Sequence, residues 1–403
     1  MTASIPDSKA DDKQTKKTIR TFALASFFND FGSDIIYPIW PLFLTTVLRA
    51  NMAAVGLLDG LGDALVSISQ AVAGYVSDRI KKRKIFIWVG YLCGSISRLG
   101  YAVSAVWPQA IPFKVLDRAG KMRGAPRDAL VADISVDSNR GKHFGLLRAM
   151  DNLGAVAGIL VCIAFVNLLG YRLLFALAAI PSLISVILIL TAIKEPSVLR
   201  TRVFKGLAFK DIDGNFRLYF VLNGLFALGA FSYSFLLVYA QRSWVKVSFL
   251  GISMTGIKTV PLLYLLFTAV AALMSLPFGK LSDIIGRKKV MFLAFGFWAA
   301  VSAAILVSHR DWLIILVFVF YGLHRAAIEP VQKALVSELS PAAFRASSLG
   351  AFQMVIGLAA LPASLTAGLL WDKVGLRAPF VVSLVLTSLS AVMLLFVREK
   401  RPR

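Results

Sequence analysis

The residues with chemical capacity concentrate in one run, K-V-L-D-R-A-G-K-M-R-G-A-P-R-D-A-L-V-A-D from Lys114 to Asp133, which holds Asp117, Arg118, Lys121, Arg123, Arg127, Asp128 and Asp133 between long apolar stretches. A charge at the centre of a membrane helix costs roughly 2.5–3.5 kcal/mol even on a lenient scale. These side chains must therefore look into protein or water, and the run reads as one wall of a polar passage. Further carboxylates lie in apolar segments: Asp30 with Asp34 and Asp59 with Asp63, each pair spaced i, i+4 and so on one helix face. Two such carboxylates in a low-dielectric wall do not both stay ionised cheaply, and one takes up a proton or a cation. A proton-coupled carrier uses that chemistry, with Asp34 and Asp63, deeper in their spans, ahead as coupling sites. The other reading is structural, with Asp30 and Asp59 paired to Arg98, Arg118 or Arg148. Asp128 is expected to be bound up with Arg127 and Arg123.

A second polar set follows later: Arg325, Glu329, Pro330 and Lys333. Arg118, Lys258 and Arg325 either attract an anionic or chelated substrate or serve internal ion pairs. Tyr37, Asn223, Tyr233 and Gln353 are candidate neutral contacts, and His324 either titrates or is a packing residue. Gly120 and Gly124 allow a neighbouring helix close approach, and Pro126 loosens the backbone ladder before Arg127.

The elements that must hold these residues are helices. With 403 residues, 58% hydrophobic and 16% charged, the chain is too apolar for a soluble protein of its size. Apolar runs of ~20 residues or more predict spans at Thr21–Val47, Ala53–Ser77, Ile85–Trp107, Ile111–Ile134, Phe144–Leu169 and Tyr171–Ile193. Six more follow at Phe216–Gln241, Val260–Leu281, Val290–Val307, Trp312–Leu339, Ala346–Leu370 and Ala378–Val397. This is an all-α membrane protein of twelve transmembrane helices in two six-helix halves, 21–193 and 216–397. The expected remainder is an N-terminal tail at 1–20, a linker at 194–215 and a C-terminal tail at 398–403.

The net charge of +22 comes from basic residues clustered in alternate short loops, which set orientation rather than bind nucleic acid. Lys9 to Arg20, Arg79 to Lys84 and Lys194 to Arg217 are basic, whereas the opposite connections hold single arginines or none. Both termini are expected in the cytoplasm, with Trp40, Trp107, Trp244, Trp312 and Trp371 forming an outer interfacial belt. Cys93 and Cys162 lack metal-ligand or redox spacing and read as small buried hydrophobes. The polar N-terminal segment has no signal-peptide pattern.

The halves repeat one another. G-Y-V-S-D-R-I-K-K-R-K from Gly74 recurs as G-K-L-S-D-I-I-G-R-K-K from Gly279. The same offset aligns A-L-V-A-D-I-S from Ala129 with A-L-V-S-E-L-S from Ala334, and Arg140 with Arg345. Asp78 and Asp283 end helices, where a carboxylate opposes the dipole and seeks an arginine. The expected pairs are Asp78 with the Arg345 end and Asp283 with the Arg140 end, as a cytoplasmic latch between halves.

Two six-helix halves, each with G-x-x-S-D before a basic turn, resemble the major facilitator superfamily of secondary transporters. The match is full at Gly279, Ser282, Asp283, Gly286, Arg287 and Lys288. The first copy keeps Gly74, Ser77, Asp78 and Arg79 but has Lys81 at the usual glycine. Arg118 looks like the family's fourth-span arginine, and the fifth-span antiporter signature is thin, reduced to Gly154 and Gly158. N-D-F-G-S-D-I-I-Y-P from Asn29 and L-D-G-L-G-D-A from Leu58 look like a prokaryotic branch to which magnetosome-membrane facilitators, associated with iron handling, look related.

The resemblance implies alternating access in the cell (inner) membrane, coupled to protons and working as a monomer. Its small solute would be an iron-related complex or siderophore, or a drug-like or metabolite compound for efflux. The other readings are a passive facilitator and a membrane sensor or assembly partner. The chain lacks a phosphate-cradling G-x-x-x-x-G-K-[ST] loop, and A-S-S-L-G from Ala346 opens an apolar span with no strand before it, so neither an ATP-driven pump nor an enzyme is expected. No cofactor is expected.

Overall fold

A computed structural model describes residues 8–135, 137–193, 213–243, 247–249, 252–254, 259–307, 310–340 and 345–399. Two short strands, β1 (Val247–Phe249) and β2 (Ile252–Met254), pair antiparallel; the other elements are helical. In the described residues the helices fall into twelve consecutive membrane-length runs, and several are interrupted.

The first run is α1 (Ser8–Ile36), a turn, α2 (Trp40–Leu42) and a π-helix at Phe43–Val47. It starts before the expected Thr21 and breaks at Tyr37–Ile39, because Pro38 and Pro41 each lack the N–H that would continue the ladder. Next come α3 (Met52–Ile80) and α4 (Lys84–Val103). The fourth run is α5 (Trp107–Gly120), a 3-10 turn at Lys121–Arg123, and α6 (Gly124–Ile134). The tightened turn lies just ahead of Pro126, whose missing donor falls within it. The fifth and sixth runs form α7 (Asp137–Ala192), bent at Gly170 with φ 69°.

The seventh run is α8 (Gly214–Gly229), capped by Asp213, and α9 (Ser234–Arg242), with a break at Ala230–Tyr233. Then follow α10 (Thr259–Ile285), α11 (Arg287–Val307), α12 (Asp311–Leu339), α13 (Arg345–Lys373) and α14 (Ala378–Leu395). Helices such as α3, α10 and α14 are long and apolar enough to cross a membrane. Large apolar side chains point outward from them, Leu168 and Leu276 each 77% exposed, as a lipid-facing surface requires.

The chain packs as two units whose limits differ from the sequence halves. One comprises Met1–Tyr37, Ile68–Ser104 and Pro112–Val203; the other Pro38–Ser67, Ala105–Ile111 and Phe204–Arg403. The first has its apolar core on α1, α4, α6 and α7, around Phe22, Tyr91, Leu130 and Ile189. The second centres on an aromatic cluster in which Trp298 meets Phe231 edge-on and packs at a tilt against Tyr321 and His324.

The second unit takes in the start of α3 because that helix lies backbone to backbone on α13. A Cβ at Gly60 would come within 2.6 Å of the Ala360 carbonyl oxygen. Asp372 also accepts from the Met52 and Ala53 N–H groups at 3.1 and 2.8 Å, capping the open end of α3. Of the expected tryptophan belt, Trp312 is exposed, but Trp40 and Trp371 are buried at 2% and 4%. Trp40 is drawn inward by a carboxylate, and Trp371 packs on Phe235 beneath Arg242. Trp244 lies outside the described residues.

Candidate functional site

In the first unit α5 carries Asp117 and Arg118 to the break that follows α1. Arg118 lies over the Tyr37 ring at 5.2 Å and Lys121 over the same ring at 5.6 Å. Cation–π contact holds both cations in place without neutralising them. Asp117, 8% exposed, meets Arg118 at 3.4 Å and lies in the field of Lys121, Arg98 and Lys114 as well. Gly120 makes this possible: a Cβ there would crowd the Gly90 carbonyl oxygen at 2.7 Å, so α5 and α4 touch at that level. Gly124 faces only the Gln70 amide, at 3.2 Å.

Arg98, one of the three arginines offered to Asp30 and Asp59 in the structural reading, is hydrogen-bonded to neutral oxygens. Its guanidinium donates to the carbonyls of Ala178 and Asn29 at 2.9 and 3.2 Å, and to the hydroxyls of Ser33 at 2.8 Å and Ser182. Asp30 accepts from the Asn29 amide at 2.8 Å and lies in the field of Asp151 on α7. Asp151 meets Arg127 at 3.8 Å and Arg148 at 4.0 Å. Arg127 also donates to Asp128 at 3.0 Å and to Ser26 at 2.7 Å. Asp128 therefore has Arg127, as expected; Arg123 instead donates to the Gly120 carbonyl at 3.0 Å and covers the Tyr91 ring at 4.8 Å. Asp34 is buried at 9%.

In the second unit the carboxylates of α3 separate. Asp59 is enclosed, 7% exposed, and Asp63 is exposed. Asp59 accepts three hydrogen bonds from neutral donors: Trp40 Nε1 at 3.1 Å, Ser232 Oγ at 2.8 Å and Ser234 Oγ at 2.5 Å. The donors stand at the breaks of the first and seventh runs, where freed backbone lets them turn inward. Ser364 on α13 accepts from the Ser232 N–H at 3.3 Å and completes the knot.

The open residues form another group on α12, where Arg325 pairs with Glu329 one turn away, 44% and 55% exposed. Tyr321, one turn before, bonds Arg325 and lies in the field of Asp63. His324 is buried, its Nδ1 2.8 Å from the Ala294 carbonyl oxygen, which is the packing role. Asn223 is likewise occupied, donating to the Tyr219 carbonyl at 2.7 Å and accepting from Gln332 at 2.9 Å. Tyr233 packs against Tyr264, and Gln353 is exposed. Lys258 lies outside the described residues.

The repeated motif builds the same triad twice. Arg83 bridges Asp78 at 2.8 Å and Asp133, and Arg287 bridges Asp283 at 3.2 Å and Glu338. Each aspartate thus pairs with an arginine of its own turn. Arg79 is exposed, Gly74 and Gly279 are partly buried, and the side chains of Arg140 and Arg345 lie outside the described residues. Lys81 has φ 55° where its repeat mate Gly286 has φ 99°. The two turns therefore share a left-handed residue, although only one has the glycine that adopts it without strain.

Sequence reasoning did not single out Trp40, Ser232, Ser234, Lys114 or Asp151 for these roles. Tryptophan and serine carry no charge to flag them, and Ser232 lies far from Asp59 in sequence.

The sequence profile of the Major Facilitator Superfamily matches residues 22–257 and 219–403. An uncharacterized MFS-type transporter of Methanocaldococcus jannaschii is 34% identical over 397 residues, covering 98% of each chain. The multidrug resistance protein MdtH of Aeromonas hydrophila is 25% identical over 390 residues, covering 93% of this chain and 92% of its own. Among solved structures, a bacterial homolog of the human lysosomal transporter Spinster, inward-facing and unoccupied, superposes with a TM-score of 0.73 at 14% identity, over 98% of both chains. A peptide transporter POT gives 0.75 at 16% identity, over 94% of this chain and 93% of that one. The twelve helical runs, the doubled motif and these matches make the chain a multi-pass membrane transporter, not an enzyme, belonging to the Major Facilitator Superfamily.

Proposed function

We propose that the protein is a secondary active transporter of a small organic solute, working by alternating access in the cell (inner) membrane as a monomer, with protons as coupling ion and both termini in the cytoplasm. The two halves 21–193 and 216–397 are the moving bodies and 194–215 is their linker. The observation that carries the proposal is the Asp59 knot. In the proposed orientation it lies at the outer end, where the carboxylate ties together both interrupted runs through three donors. A proton on Asp59 removes the charge assistance from all three bonds and forces a serine hydroxyl to turn and accept, so the outer contact loosens. Protonation is thereby linked to opening. Asp63, Arg325 and Glu329, together with Asp34, Asp117, Arg118 and Tyr37, are the proposed substrate and coupling-ion residues.

At the cytoplasmic end, the latch of Asp78 with Arg345 and of Asp283 with Arg140 would compete with Arg83 and Arg287 for the same carboxylates. Export of an organic compound is favoured over import of an iron complex, because a relative aligned along almost its whole length is named a multidrug resistance protein. Flux of labelled compounds into proteoliposomes, with and without an imposed pH gradient, tests the proposal. Gradient-driven accumulation is expected; equal flux without a gradient would make the protein a facilitator, and no flux for any compound a sensor or assembly partner.

A further inference from the structure

Asp151 on α7 carries a carboxylate that its neighbours only half satisfy. It is 9% exposed, and its Oδ1 accepts no hydrogen bond among the described residues. Ser26 of α1 bonds the carboxylate. The cation that could complete it is committed elsewhere: Arg127 donates through Nε to Asp128 at 3.0 Å and through Nη1 to Ser26 at 2.7 Å. Its Nη1 stops 3.8 Å from Asp151 Oδ1, beyond hydrogen-bond range. Arg148 comes within 4.0 Å but is largely exposed, so water and salt screen it.

The surroundings are closed. Gly154 and Gly158 bring α7 onto α1 backbone to backbone just beyond Asp151, where a Cβ would strike the carbonyl oxygens of Phe27 and Phe31. Asp30 of α1 puts a second negative charge in the field of Asp151. The α4 helix brings Tyr91 into the field of Arg127, and α6 brings Arg127 with Asp128. A buried carboxylate with an unsatisfied oxygen is costly as an anion and is relieved by taking up a proton. A metal ion does not fit: Arg127 repels it, and the described residues contain no group of three His, Cys, Asp or Glu able to hold one.

We infer that Asp151 is a proton-binding site in the first unit and that Arg127 is shared between Asp151 and half-exposed Asp128. With the proton on Asp151, Arg127 rests on Asp128, the arrangement described above. When the proton leaves, the ionised Oδ1 draws the guanidinium in by a further ~1 Å, to the distance of a charge-assisted hydrogen bond. Asp128 is then released to water. The only covalent change is at the O–H bond, and the proton passes to water on the Asp128 side. The site is distinct from Asp59, which belongs to the second unit, and proton binding here does not require transport.

The test follows the protonated-carboxyl stretch against pH by infrared difference spectroscopy, with the full chain in phosphatidylcholine nanodiscs. The wild-type protein should show a band that Asp151→Asn removes and that Asp30→Asn and Asp128→Asn keep. Asp128→Asn leaves Arg127 to Asp151 and should weaken proton binding about tenfold or more, moving the midpoint down by about one pH unit or more. Asp30→Asn should move it the same way by less, because the two carboxylates titrate as a pair. A spectrum that Asp151→Asn leaves unaltered, or a band lost in Asp30→Asn and kept in Asp151→Asn, would overturn the inference. Should Asp151→Asn fail to fold, Asp128→Asn decides alone, and a midpoint that does not move would overturn the sharing of Arg127. Flux measurements separate this site from the transport proposal: the band without flux supports the site and counts against transport, whereas flux without the band overturns the site alone.

Discussion

Replacing Asp59 by asparagine tests the outer knot. The carboxylate accepts from Trp40 Nε1 at 3.1 Å through one oxygen and from Ser232 and Ser234 at 2.8 and 2.5 Å through the other. An amide keeps one oxygen. If that oxygen retains the indole, which can only donate, the serine hydroxyls must rotate to accept from the amide nitrogen, and all three contacts lose their charge assistance. Hydrogen bonds to a charged acceptor contribute about 1.5–3 kcal/mol each and neutral ones about 1. Each of the three bonds loses about 0.5–2 kcal/mol, a net loss of about 1.5–6 kcal/mol from the closed state, which corresponds to a shift of roughly tenfold or more toward the open one.

Ser364 reports that shift, being 1% exposed and bonded to the Ser232 backbone. With Cys93 and Cys162 replaced, Ser364→Cys should be nearly inert to a membrane-impermeant maleimide added outside. Asp59→Asn should speed its labelling by that factor, and Trp40→Phe, which removes one donor, by less. An unchanged or slower rate would refute the reasoning. Labelling confined to inverted vesicles would refute the orientation.

Other outcomes follow from the same geometry. Lys81→Gly should stabilise the protein by about 1 kcal/mol, the cost of a left-handed non-glycine residue, read as a higher thermal midpoint; the reverse change, Gly286→Lys, should lower it. Arg83→Gln strands Asp133, whose side chain is 12% exposed, and should cost about 3–5 kcal/mol. Arg287→Gln should cost less, because Asp283 is 67% exposed, and equal losses in detergent unfolding would contradict the burial argument. Glu399 accepts from the Arg287 and Lys288 N–H groups at 2.6 and 3.2 Å and so caps α11. Glu399→Gln should remove about 1 kcal/mol and speed hydrogen exchange at those two amides.

Much of this architecture was legible in the sequence because it rests on period and composition. The apolar runs placed twelve helical segments, the repeat aligned Asp78 with Asp283 and Asp133 with Glu338, and the charged run drew attention to Asp117 and Arg118 before Tyr37 was seen beside them. What escaped has a common cause. Breaks at Tyr37–Ile39 and Ala230–Tyr233 interrupt runs that remain apolar, so hydropathy passes over them. Spacing along one helix suggested that Asp59 and Asp63 share a role, but enclosure depends on what packs opposite, and Trp40, Ser232 and Ser234 close over Asp59 while Asp63 stays exposed. Arg98 was one of three arginines offered to Asp30 and Asp59 in the structural reading, because charge is visible in a sequence. Four neutral oxygens converging from α1 and α7 are not.

The most direct test of proton-coupled alternating access is proton movement itself. Proteoliposomes loaded with a pH-reporting dye should change internal pH when a compound that the protein transports is added outside, at a rate that depends on the protein. Asp59→Asn should abolish that change while solute exchange between the two sides continues. Solute flux with no proton movement in the wild-type protein, or unaltered proton movement in Asp59→Asn, would contradict the account.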